Sequence, residues 1–269
     1  MPAWIEQDLT TLAFCWRLAR RDGVTIGLTS HDRDLMIDGL LFRATPGMLP
    51  SAIERTSGLS ADSVELSGAI TADALSADDL AAGRWDGARL HLFAIDWTQP
   101  DAEQVPLMTG ALGAVDVRGE GFQAELRGAA SLLDQPVIET TSPDCRATLG
   151  DGRCRVDMAG RVRIATVAQA QEEMITLSAA IPNAVLSSGQ LRWIDGPNAG
   201  LSTHLIAHDN AVLTLADPPH FAVDPGTRVE LTEGCDRRFS TCASRFANAA
   251  NFRGEPHLPG NDLLTRYAS

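Results

Sequence analysis

Between residues 10 and 20 the apolar side chains Leu12, Phe14, Trp16 and Leu18 fall at every second position, which predicts a strand with one buried face. Arg21-Asp22-Gly23 then supplies a turn into a partner strand over residues 24–29, because glycine accepts a positive φ without a steric penalty. Asp38-Gly39, set between Leu35-Met36-Ile37 and Leu40-Leu41-Phe42, predicts a second hairpin. The alternation breaks at residues 71–83, where Ser76 can cap a short helix, Asp78 and Asp79 suit its first turn and Gly83 its end. Strands resume over 88–96, 104–117 and 122–127 as a meander with glycine-rich corners, and 129–135 predicts one helical turn before Pro136.

Residues 136–155 lose this periodicity and gain breakers, which marks a boundary. Over 161–232 six short apolar alternations recur at 162–167, 174–177, 190–194, 204–206, 211–215 and 228–231, separated by Gly, Pro, Asn and Asp. So many short strands in so little chain predict a small closed barrel or sandwich. From residue 233 the sequence holds few strand formers and much Asn, Arg and small side chain, so something other than a core must fix it. The expected fold is therefore mostly β: a β-rich region over 1–140, a small barrel over 161–232, and cysteine-bearing stretches at 141–160 and 233–269 that flank the barrel and form an irregular third part.

Composition narrows the chemistry. All 22 basic residues of the 269 are arginine, and the formal net charge is -13. Without lysine there is no Schiff-base amine, no Ser-Lys dyad and no Walker-type phosphate loop. The acidic balance argues against a protein that neutralises nucleic-acid phosphates. No apolar run approaches the roughly 18 residues of a membrane helix, and the first ten residues carry Glu6 and Asp8 where a signal peptide carries basic residues. Synthesis in the cytoplasm, without membrane insertion, is the expectation. In that compartment five cysteines read as ligands, a nucleophile or buried thiols rather than as disulfides.

Four of the five stand in the two segments without a core pattern. Cys145 and Cys154 are spaced C-x8-C, Cys235 and Cys242 are spaced C-x6-C, and 80 residues separate the pairs. Such loop-borne thiols suit a tetrahedral zinc or a cuboidal iron-sulfur cluster, and spacing alone does not choose between them. Seven arginines crowd them: Arg146, Arg153 and Arg155 beside the first pair, Arg237, Arg238, Arg245 and Arg253 beside the second. Nearby cations lower thiol pKa and offset the negative charge of a tetrathiolate centre. The alternative is that these are simply buried small residues. Cys15, among Ala13 and Ala19 on the other face of the first strand, reads as a packed thiol.

The tail GCDRRFSTCASRFANAANFRGEPHLPGND resembles the C-terminal signature of tail-tip and baseplate-hub proteins of long-tailed phages, among them the tail tip protein L of lambdoid phages and the hub protein of gene transfer agents. The resemblance rests on the Cys235 and Cys242 spacing, on the run Phe246, Asn248, Asn251, Phe252, Gly254 and Pro256, and on the upstream pair Cys145 and Cys154. The N-terminal LTSHDRDL, at 28–35, is similar to the phage-type hub proteins that carry this tail. The lambdoid proteins set the two pairs much closer together, so the inserted barrel brings this chain nearer to the gene-transfer-agent type.

The resemblance implies that Cys145, Cys154, Cys235 and Cys242 hold a 4Fe-4S cluster. It also implies a non-enzymatic homotrimer at the tip of a virion or particle tail. The ring would extend the tube and join a distal tail protein to a megatron-like tip or fibre protein, with a tape-measure protein as a further neighbour. DNA would pass through its lumen without specific binding, and an acidic lumen would let it slide. An iron-sulfur redox enzyme and a zinc-stapled binding module are the competing classes. No flavin, nucleotide or acid/base motif supports the enzyme. His204 and His208, four apart in a strand, and His31 with Asp32 and Asp34, beside a hairpin, read as hydrogen-bonded structural residues rather than as ligands or catalysts.

Overall fold

The computed structural model describes Trp4 and residues 11–45, 49–50, 63–69, 76–118, 121–128, 138–182 and 185–258. The chain divides into two units, Met1–Val137 and Ile138–Ser269, both built mostly from β-strands. The helical turn expected over 129–135 lies outside the described residues.

In the first unit β1 (Leu12–Ala19) pairs antiparallel with β2 (Thr25–Thr29) through the turn at Gly23, whose φ is 94°. β3 (Leu35–Ile37) and β4 (Leu40–Ala44) form the second hairpin. Its turn residues Asp38 and Gly39 both take positive φ, 50° and 75°, which matches the right-handed twist of the flanking strands. The rest comprises β5 (Leu49–Pro50), β6 (Ser63–Ala69), β7 (Arg89–Asp96), β8 (Gln104–Arg118) and β9 (Gly121–Gly128). The sheet order is β3-β4-β2-β1-β7-β8-β9-β6-β5. Within it β7, β8 and β9 are the expected meander. Pro106, which has no N–H for the ladder, sits where the β7–β8 register shifts beside Phe93. α1 (Ala77–Ala81) begins at Ser76, whose Oγ accepts the Asp79 N–H at 3.0 Å, and Gly83 follows its end at φ 73°.

One expectation needs correction. β1 is buried on both faces, because it lies between β2 and β7 with side chains packed above and below. Trp16 and Leu18 join Leu28, Leu90, Leu92 and Trp85 on one side. Ala13 and Cys15 join Phe42, Phe93 and Ile95 on the other. Cys15 is the packed thiol expected: burial pushes its pKa up to about 11, and its Sγ donates to Thr29 Oγ1 at 3.6 Å.

The second unit contains a closed six-stranded barrel. Its strands are β10 (Val162–Gln171), β11 (Met174–Leu177), β12 (Gln190–Trp193), β13 (Ser202–Asp209), β14 (Val212–Leu215) and β15 (Arg228–Thr232). The hydrogen-bonded order around it is β10-β11-β14-β13-β12-β15, with β15 closing onto β10. Alternate residues point inward, so Val167, Ile175, Leu191, Trp193, Leu205, Leu213, Val229 and Leu231 fill an apolar interior. Two segments remain, 138–161 before the barrel and 233–258 after it. The second is not wholly irregular, since it forms α2 (Phe239–Ser244) and a 3-10 turn at Ala249–Asn251.

Candidate metal centre

The two segments that flank the barrel are hydrogen-bonded to each other. Cys145 N–H donates to the Arg237 carbonyl at 2.8 Å, Arg146 N–H to the Arg253 carbonyl at 2.9 Å, and Glu255 N–H to the Ser142 carbonyl at 2.8 Å. The Glu255 carboxylate closes the same seam. It accepts the Ser142 N–H and both ends of the Arg146 guanidinium, at 2.8 and 2.9 Å. These bonds, chiefly that of Arg146, hold its pKa down at about 2. The segments approach this closely only because position 254 is glycine: a Cβ there would stand 2.5 Å from the Asp144 carbonyl oxygen.

This seam gathers the four cysteines. The thiol of Cys242 feels the charge of Cys145, Cys235 and Cys154, and that of Cys235 feels Cys154 and Cys145. All four are free thiols. For Cys235 and Cys242 burial is the largest cause of a raised pKa, and mutual repulsion adds to it. Burial and mutual repulsion thus favour the neutral thiol, so metal binding there would release protons.

Each cysteine has its own local device. Asp151 shapes the turn before Cys154: one carboxylate oxygen accepts the N–H groups of Arg153 and Cys154 at 2.8 and 2.6 Å, the other that of Thr148 at 2.9 Å. Those bonds, led by the one from Cys154, lower the Asp151 pKa. Cys242 stands on α2 and not in a loop as the breakers around it implied. Asp236 fixes the start of that helix by accepting from Arg238 N–H at 3.0 Å and Thr241 Oγ1 at 2.8 Å. Three residues beside the cysteines, Arg155, Arg237 and Ala247, take left-handed φ of 59°, 61° and 47°. Non-glycine residues pay about 1 kcal/mol or more for this, a strain typical of ligand-binding turns.

N–H groups aim at sulfur. The Arg253 backbone donates to Cys145 Sγ at 3.4 Å, and a backbone bond from Arg237 favours the thiolate of Cys235. Asn248 links the two pairs. Its Nδ2 donates to the Cys154 carbonyl at 2.6 Å and lies 3.8 Å from Cys154 Sγ, while its own carbonyl accepts from Cys242 Sγ at 3.4 Å. Asn251 in turn donates to Asn248 Oδ1 at 2.7 Å.

The arginines serve mainly as carboxylate and carbonyl partners. Arg146 pairs with Glu255 and Glu139, Arg153 with Glu139 and the Arg146 carbonyl, Arg155 with the Gly152 carbonyl, and Arg245 with Glu233 and the Gly234 carbonyl. Arg237 and Arg238 contribute backbone groups, the Arg238 carbonyl accepting the Cys242 N–H at 3.0 Å. Asn248, Asp151, Glu233 and Glu255 escape a sequence reading focused on cysteine and arginine, although Asn248 lies within the F-x-N-x-x-N run.

An all-sulfur donor set with N–H groups directed at sulfur fits a thiolate-ligated metal and not a hard oxygen-seeking cation. Among the described residues no three His, Cys, Asp or Glu side chains group closely enough to hold one metal ion. That includes His204 and His208. A bulge between Leu205 and Ala207 shifts the phase of β13, so His204 pairs with Gln190 on the outer face and His208 with the buried Leu213. Four apart in a regular strand they would share a face, and the bulge is what separates them. His31 and Asp34 are hydrogen-bonded: His31 Nδ1 accepts the Arg33 N–H at 3.1 Å within the turn, and Asp34 Oδ1 accepts the Ala44 N–H at 2.8 Å across the β3–β4 hairpin.

Comparison with known proteins gives three results. A family model described as the N-terminal attachment domain of baseplate hub proteins matches residues 1–157. A second, described as phage conserved hypothetical protein BR0599, matches 184–262. A chain in the solved structure of the virion of a native gene transfer agent particle is 35% identical, with a TM-score of 0.85, over 99% of this chain and 94% of that one. No curated protein matches.

Proposed function

The chain belongs to the phage baseplate hub family, so that its role is structural and not enzymatic, and from that premise we propose that it forms a trimeric ring at the tip of a phage-like tail. The ring extends the tail tube, seats the distal tail protein on one side and the tip or fibre protein on the other, and lines the DNA exit. The observation that carries this reading is the likeness to a gene-transfer-agent virion chain over nearly the full length, barrel and cysteine segments included. A net charge of -13 supports a lumen that repels phosphates rather than binding them.

Within that role we infer that Cys145, Cys154, Cys235 and Cys242 hold a 4Fe-4S cluster. The four thiols share one electrostatic neighbourhood and N–H groups are directed at sulfur, which supports thiolate ligation, and the resemblance of the C-terminal segment to that of tail-hub proteins supports a cluster over zinc. When bound, such a cluster supplies four metal–thiolate bonds that cross-link the segments on either side of the barrel. The chain's own residues do the rest: Asn248 and the Arg253 N–H orient sulfur, and the Arg146–Glu255 pair holds the seam.

The test is to delete the gene in a particle-producing strain and restore it in trans. Tails lacking their tip structure and DNA delivery, both regained with the restored gene, are expected. Fully tipped, delivery-competent particles without this chain would overturn the reading.

A further inference from the structure

Behind the second thiol pair lies a buried ionic cluster that supplies no ligand. The side chain of Glu233, the residue after β15, is only 7% exposed. Its Oε2 accepts from Arg161 Nη1 at 2.8 Å and from Arg245 Nη2 at 2.7 Å. Both guanidiniums also lie against the ring of Phe246, at 5.0 and 4.6 Å from its centroid. Arg245 Nη1 further donates to the Gly234 carbonyl at 2.7 Å, and the Glu233 N–H to the Arg161 carbonyl at 3.0 Å.

A carboxylate so far from water persists only where its charge is met, and a second cation is tolerated where an aromatic face takes up part of its field. The arrangement does more than close the barrel. Arg161 leads into β10 and Glu233 follows β15, but Arg245 caps the C-terminal end of α2 and Phe246 follows it. Glu233 thus ties the mouth of the barrel to the helix that carries Cys242, while Cys235 lies two residues beyond it.

We propose that Glu233 is a positioning residue for the thiol site, locking α2 against the end of β15 so that Cys235 and Cys242 stand in ligating position before any metal arrives. This rests on the four-thiol centre proposed above. The second pair is then a preformed half-site, and the first pair docks onto it through Asn248.

The experiment uses the full chain, purified metal-free and also reconstituted with ferrous iron and sulfide, as wild type, Glu233→Gln and Phe246→Leu. Hydrogen exchange in the metal-free wild type should protect residues 236–248 to within roughly tenfold of β15. Glu233→Gln should lose at least about tenfold of that protection with the barrel strands unchanged, and should release iron to a chelator about tenfold faster. Phe246→Leu, which keeps both ion pairs, should fall between. Free exchange of 236–248 in the metal-free wild type would overturn the proposal, as would iron retention in Glu233→Gln equal to wild type. If Glu233→Gln also unfolds the barrel, Phe246→Leu decides, and unaltered iron release by it counts against the latch. Should the wild type bind no iron, the four-thiol reading fails while the exchange data still judge the latch.

Discussion

Asn248 touches both cysteine pairs, and its loss shows how much one carboxamide holds. Asn248→Ala strips the half-buried Cys154 carbonyl of its 2.6 Å donor. An orphaned carbonyl of this kind costs about 1–2 kcal/mol. Faster hydrogen exchange over residues 145–155 should report it, with the barrel unaffected. Glu255 gives a pH-dependent counterpart. Its folded pKa of about 2 lies below its ordinary 4.5, so its bonds stabilise the seam fully above the unfolded value and are lost as pH falls from there through about 2. The stability gap between the metal-free wild type and Glu255→Gln, measured by denaturant titration, should be open at pH 6 and should close across that window. At Gly254 the constraint is steric: an added Cβ meets the Asp144 carbonyl oxygen at 2.5 Å. Gly254→Ala should therefore expose 250–258 to protease while leaving β10–β15 intact. None of these contacts was legible in the sequence, because they join residues far apart in the chain, 94 and 109 residues for the two hydrogen bonds and Asp144 to Gly254 for the steric one, separations that no local pattern encodes.

Most strands and the hairpins, by contrast, were legible because their signals are local, whereas β5 and β6 were not read. Period-two alternation and the Asp38-Gly39 turn need only neighbouring residues to be read. The second buried face of β1 was not, since it depends on Phe42 and Phe93 arriving from strands distant in sequence. Nor was the phase change in β13, where one extra residue sends His204 and His208 to opposite faces. α2 was missed because FSTCAS has little helical pattern, and Asp236 and its neighbours hold it instead. The barrel should behave as a cooperative element. Leu213 is fully buried in its interior, so Leu213→Ala should destabilise the second unit by about 3 kcal/mol, read from its own thermal transition by calorimetry.

For the whole molecule, the cysteines, their pairing across the barrel and the likeness to tail hubs were visible from sequence, while the polar framework that holds the site was not. That framework is part of what fixes residues 233–258, a segment with little core of its own. Cross-linking across an 80-residue loop could contribute up to about 4.5 kcal/mol by chain entropy, yet the Glu233 and Glu255 contacts already hold both segments. Cys235→Ser should thus loosen residues 233–258 under protease without releasing them fully, and leave the first unit untouched. The composition also acquires a place: arginines concentrate in the seam, where Arg146 meets Glu255 through both ends of its fork and Arg161 and Arg245 converge on one oxygen of Glu233, while the acidic excess would suit the DNA channel proposed above. Metal analysis of the chain purified without oxygen decides whether the four thiols hold a cluster. A brown protein with broad absorption at about 400 nm and about four irons and four labile sulfides per chain is expected, all lost together in the four-serine variant. A colourless protein with one zinc, or with no metal, would contradict the cluster.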